Sequence, residues 1–102
     1  MHPVIEEKRL EIERICRLHH VRRLEVVGSA ARASDFDPYG SDADFLVEFE
    51  PGARNGLASY FDFQPALETL LHRHVDLIES GAVRNPFVRA GIDSTRELLF
   101  AA

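Results

Sequence analysis

Several things are scarce in this chain, and each shortage removes a class of protein. Cys16 is the lone cysteine among 102 residues, so no internal disulfide can form. That suits a reducing cytoplasm, with Cys16 packed as a small hydrophobe. Long apolar runs are missing too: nothing approaches the roughly 18 consecutive apolar residues of a membrane-spanning helix. The opening residues, MHPVIEEKRLEIERICRLHH, are charged and helical in pattern, unlike a signal peptide. Positive charge is short as well, with 12 Lys and Arg against 17 Asp and Glu and a net charge of -5. Broad binding to a phosphate backbone draws most of its attraction from a basic surface, so nucleic acid is disfavoured as the main partner. A metal ion that neutralises carboxylates, or a basic protein partner, fits this balance better. Repeats, low-complexity tracts and linkers are absent, and the length predicts one domain over residues 1–102.

What is present alternates between helical and strand patterns. Residues 3–20 read as a helix with Ile5, Ile12, Ile15, Cys16 and His19 on one face and Pro3 in the first turn. Residues 22–27 form a short strand ended by Gly28, and residues 29–33 are small enough for one helical turn. The stretch SDFDPYGS, residues 34–41, is a loop by its Asp-Pro, Gly and Ser content. A second strand covers 42–49 and stops at Pro51-Gly52. Residues 57–72 are helical, with a break or kink expected at Pro65. The aromatic cluster Tyr60, Phe61 and Phe63 on that helix is expected in the core. A third strand covers 75–78, with Val75 and Leu77 facing one way and Asp76 and Ile78 the other. Residues 86–101 read as a last amphipathic helix, along which Arg84, Arg89 and Arg96 can pair with Asp93 and Glu97. The fold class is α/β (α+β): a small mixed sheet with flanking helices.

Two aspartates one residue apart, Asp42 and Asp44, open the second apolar strand. Strand side chains repeat with period two, so both project from the same face and can hold an ion between them. Without a cation they repel, at a cost that grows with burial. Hard oxygen ligands of this kind select Mg²⁺ or Mn²⁺ over zinc. Asp76 sits alone in the apolar strand VDLI, and it completes a three-carboxylate site if the third strand lies beside the second. Such a site suits two-metal phosphoryl or nucleotidyl transfer. Gly28 lets the backbone approach a phosphate, Ser29 adds a hydroxyl, and Arg32 stands one turn on, within reach of a triphosphate oxygen.

Gly28-Ser29, followed after an intervening loop by Asp42-Ala43-Asp44 and an apolar strand, resembles the signature of the polymerase-β-like nucleotidyltransferases. GSAAR…SDADFLVEFEP with HRHVDLIE and NPFVRAGIDSTRELLFAA is similar to their minimal nucleotidyltransferase branch, across nearly the whole chain. One departure is Ala33, where the family usually has glycine after Ala-Arg. The resemblance implies a polymerase-β-like palm and a metal site of Asp42, Asp44 and Asp76, with Asp76 also a base for the incoming hydroxyl. It implies Gly28, Ser29 and Arg32 as nucleotide contacts, two Mg²⁺ ions (or Mn²⁺), and ATP as substrate. The minimal branch is commonly paired with a HEPN-domain ribonuclease toxin, and some members transfer AMP to a tyrosine of that toxin. The function implied is a cytoplasmic antitoxin that adenylylates its HEPN partner, with a hetero-oligomer of the two as the implied assembly.

Other functions compete with this one. A binding antitoxin with a vestigial site would neutralise the toxin without chemistry. A nucleotidyltransferase acting on a small molecule or RNA is disfavoured by the acidic charge and by the lack of an acceptor-binding domain. His72 and His74 flank the turn into the third strand, and the hard-ion reading does not need them as ligands.

Overall fold

The computed structural model describes residues 2–28, 42–51, 56–79, 86–93 and 95–102, with the side chains of residues 56–60, 88 and 89 set aside. The helix expected over residues 3–20 is two segments, α1 (Pro3–Glu6) and α2 (Arg9–Leu18), separated by a turn at Glu7 and Lys8. Pro3 takes the first turn, where its missing N–H costs nothing. His2 caps that turn, its Nδ1 accepting from the Val4 N–H at 3.1 Å. Despite the break, Ile5, Ile12 and Cys16 are all fully buried, as the helical spacing requires.

His20, at φ 59°, turns the chain from α2 into β1, Val21–Val27. The second strand, β2 (Ala43–Phe49), runs antiparallel to β1. Helix α3 (Gly56–Leu71) then crosses over, and β3 (Val75–Glu79) lies parallel to β2. A parallel neighbour cannot be reached through a tight hairpin, so the crossover helix is a geometric necessity. Pro65 does not break α3. It lies on the exposed side, where the lost N–H and the bulk of the ring cost least. On the same helix Phe63 is fully buried, whereas Phe61 is 62% exposed, so the core aromatic face is the one carrying Phe63, Leu67 and Leu71.

The C-terminal stretch differs most from expectation. Helix α4 covers Pro86–Asp93 only, and β4 (Glu97–Ala101) follows as a fourth strand, antiparallel to β1. Thr95 and Arg96 N–H groups both donate to Ile92 O, closing the last turn of α4. The apolar triplet Leu98–Leu99–Phe100 fits helical and extended readings alike; the free edge of β1 decides between them by offering a hydrogen-bonded ladder. The sheet order is β3-β2-β1-β4.

Among the described residues, the two faces of this sheet carry buried clusters of unequal size. One carries Leu24, Val26, Ala43, Phe45, Val47, Val75 and Leu77 against Ile5, Ile12, Cys16, Phe63, Leu67 and Leu71 of the helices. Fully burying a side chain such as Phe45 or Phe63 contributes roughly 2–3 kcal/mol. The register of β1 against β4 shifts between Leu24 and Glu25, leaving Leu99 unpaired and turned into this same core beside Phe100. On the opposite face Val27, Leu46 and Ile92 form the smaller buried cluster among the described residues, with Ile78 packed against them. By strand alternation that second face is also the one on which Asp44 and Asp76 stand.

Candidate active site

At one end of the face that carries the smaller cluster, three strand ends converge: the finish of β1 and the starts of β2 and β3. Asp42 immediately precedes β2, Asp44 is its second residue, and Asp76 is the second residue of β3. The parallel register pairs Asp44 with Asp76, and the antiparallel register pairs Val27 with Asp44. The backbone ladder therefore brings together the carboxylates that the period-two pattern put on one face. The ladder is locked at this point by the Ala43 N–H, which donates to His74 O at 3.0 Å.

Gly28 has a more specific part than loose access to a ligand. It sits at φ +68°, and a Cβ built on it would lie 2.9 Å from Asp44 Oδ2. Any side chain here would both strain the backbone and strike the carboxylate. Its N–H donates to Thr95 Oγ1 at 3.1 Å, which ties the end of β1 to the end of α4. Ser29 and Arg32 lie outside the described residues.

The electrostatics show a crowded set of acids. Asp44 is half-buried and its carboxyl is pushed up to about 6 from an ordinary 3.8, first by burial and then by the charge and hydrogen bond of Asp76 and the charge of Asp42. Asp42 and Asp76 are exposed. Proton sharing or a cation relieves such crowding, and a divalent cation relieves it without giving up any negative charge. Hard oxygen donors on adjacent strands fit Mg²⁺ or Mn²⁺.

The residue underweighted by sequence reasoning is His74. Its Nε2 lies 2.9 Å from Asp76 Oδ1, and this hydrogen bond is the chief reason that its basicity is raised. Nδ1 is 3.4 Å from Glu68 Oε2 on α3. Gln64 hydrogen-bonds Glu68 and donates to Val75 O at 3.0 Å, so the helix and strand are stitched beside the site. Asp42, His74 and Asp76 each offer one donor atom within 4.8 Å of the others. The only sequence signal was spacing: His74 and Asp76 are two apart, which is same-face spacing in a strand.

A fourth acid on this face, Glu25, is 3% exposed. Arg96 grips it twice, through Nε at 2.5 Å and Nη2 at 2.7 Å, and Arg23 Nε adds a contact at 2.6 Å. The Arg96 hydrogen bond is the main cause that brings Glu25 down to about 2. Arg96 Nη1 also donates to Asp93 Oδ1 at 2.7 Å, the pairing read from sequence, although across the end of α4 instead of along a longer helix.

Residues 9–99 match the family model described as nucleotidyltransferase domain. A protein of Methanocaldococcus jannaschii named "Putative protein adenylyltransferase MJ1379" is 31% identical over 91 residues, covering 81% of this chain and 89% of the relative. Among solved structures, one described as a putative minimal nucleotidyltransferase superposes with a TM-score of 0.74 at 28% identity, over 95% of each chain. A chain from the complex of tri-AMPylated Shewanella oneidensis HEPN toxin with MNT antitoxin gives a TM-score of 0.66 at 13% identity, over 95% of this chain and 72% of that one. That last likeness is one of fold.

Proposed function

The chain belongs to the nucleotidyltransferase domain family and is a nucleotidyltransferase, and on that premise we propose that it transfers AMP from ATP to a hydroxyl of a partner protein. The observation that carries this reading is the in-register pairing of Asp44 with Asp76, with Asp42 one residue before the same strand. Asp42, Asp44 and Asp76 would hold one or two Mg²⁺ or Mn²⁺ ions. When bound, such ions favour the deprotonated acceptor and neutralise the triphosphate and the departing pyrophosphate. In the transfer, the acceptor hydroxyl oxygen forms a bond to the α-phosphorus while the bond from that phosphorus to the bridging oxygen of pyrophosphate breaks. Asp76, exposed at the rim, takes the hydroxyl proton. Gly28 leaves room for the carboxylate of Asp44 and for the close approach of a phosphate. Ser29 and Arg32 are proposed to contact the triphosphate.

The protein acceptor is supported by the name of the Methanocaldococcus jannaschii relative. A HEPN-domain toxin is proposed as that acceptor, in keeping with the fold shared with a chain from the complex of an AMPylated HEPN toxin with its antitoxin; a tyrosine hydroxyl is proposed as the modified group. An acceptor that docks on the catalytic domain supplies its own positioning. The test incubates the protein with ATP, Mg²⁺ and the product of its neighbouring gene, and reads the intact mass of that candidate partner. AMP-sized increments that vanish with Asp42→Ala/Asp44→Ala establish the reaction. No increment, with the toxin inhibited equally by both proteins, would replace the reading with inhibition by binding alone.

A further inference from the structure

His74 is built into the acidic cluster in a way that plain turn geometry does not require. Its backbone carbonyl is fixed to the first residue of β2, between Asp42 and Asp44 in the chain. Its ring spans two carboxylates, with Nε2 beside Asp76 and Nδ1 toward Glu68. Histidines that bind metals characteristically present one nitrogen to the ion and donate the other N–H to a carboxylate, which fixes the tautomer and the ring plane. Glu68 is placed to be that carboxylate, and Gln64 holds Glu68 in turn.

The spacing fits as well. Two neighbouring ligands on an octahedral ion, each bonded at about 2.1 Å, stand about 3 Å apart. His74 Nε2 and Asp76 Oδ1 are 2.9 Å apart. Asp42 lies within the same 4.8 Å group, so two oxygens and one nitrogen can face a single ion. An imidazole nitrogen in the set shifts preference away from Mg²⁺, which is satisfied by oxygen and water, toward first-row transition ions.

We propose, resting on the cation-assisted transfer proposed above, that His74 binds the cation directly together with Asp42 and Asp76, and that the site favours a first-row transition dication over Mg²⁺. Glu68 is the positioning residue that aims the imidazole.

The experiment uses Mn²⁺ as probe, on the full chain with and without α,β-methylene-ATP. Pulsed electron paramagnetic resonance reads nitrogen coupled to the ion, and a titration reads affinity. The native protein is expected to show imidazole ¹⁴N modulation on bound Mn²⁺. His74→Ala should lose that modulation and weaken Mn²⁺ binding by about tenfold or more, while Mg²⁺ affinity moves by less than about threefold. His74→Gln keeps a hydrogen-bond donor for Asp76 but no imidazole nitrogen, and is expected to behave like His74→Ala. The side chain is exposed, so both variants should fold, and a thermal melt checks this. Bound Mn²⁺ without ¹⁴N modulation in the native protein overturns the role of His74 and leaves the three-aspartate site standing. A native protein that binds no Mn²⁺ under either condition removes both.

Discussion

Glu25 and Asp44 stand on neighbouring strands and on the same face of the sheet, yet their acidities are driven in opposite directions. Glu25 is held down to about 2 and Asp44 is pushed up to about 6. Burial penalises the charge of both, so burial does not explain the difference. Glu25 has its cations supplied by the chain, in Arg96 and Arg23. Asp44 faces another carboxylate, Asp76, in the next strand. The first cluster is electrically closed and serves to hold β1 to the C-terminal segment. Among the described residues the second has only the exposed imidazole of His74 as a counter-charge, which leaves it open to a cation. One face of one sheet thus carries a closed ion-paired cluster and an open acidic one on adjacent strands.

The sharpest way to test this contrast is to remove the open acid. Asp44→Ala is expected to slow nucleotidyl transfer at least about 1000-fold, or roughly 4 kcal/mol of barrier, in the mass assay. Its midpoint of urea unfolding in EDTA should match or exceed that of the native chain, because a repulsion is removed. Deleting a partner from the closed pair should do the reverse. Arg96→Ala leaves Glu25 buried with Arg23 alone and is expected to cost about 3 kcal/mol by urea unfolding.

Gly28→Ala separates shape from charge. A left-handed φ with a Cβ costs about 1–2 kcal/mol, and the contact with Asp44 Oδ2 displaces the carboxylate. The expected result is a modest drop in stability with a disproportionate drop in transfer rate. A rate that falls only as far as the folded fraction would show that the position of that oxygen is immaterial.

Solution pH gives the smallest effect and separates the two acids by sign. Glu25 has a folded value below its ordinary 4.5, so its contribution is complete above that pH and is lost as pH falls toward 2. Asp44 has a folded value above its ordinary 3.8, so without divalent cation it favours folding at low pH and loses that advantage as pH rises through about 6. Thermal melts in EDTA should therefore peak between the two windows, at about pH 4–5, and saturating Mn²⁺ should flatten the upper limb only.

Much of the site was legible in the sequence because strand periodicity is rigid. Asp42 and Asp44 could be assigned to one face from spacing alone, Asp76 joined them only on the condition that β3 lies beside β2, and β1, β2 and β3 begin and end within a residue of expectation. What was not legible depends on partners distant in the chain. Leu98–Phe100 became a strand because β1 had an open edge, a fact that no local pattern contains. Pro65 is tolerated because its side of α3 faces solvent, which only the packed helix reveals. His74 looked like punctuation before a strand; Glu68, six residues back on α3, makes it part of the site. Arg96 was matched with Asp93 at helical spacing, while its stronger partner, Glu25, lies at the other end of the chain.

The pairing of Asp44 with Asp76 has one more consequence. Adjacent strands lie about 4.8 Å apart, a length that belongs to the peptide hydrogen bond and not to any side chain. The gap between the two acidic rows is therefore a gauge carried by the polymer itself. Core residues can be exchanged, helices shortened and loops rewritten, and the gauge is re-created whenever the sheet forms. A lineage built on it needs to remember two positions, and the backbone remembers the distance.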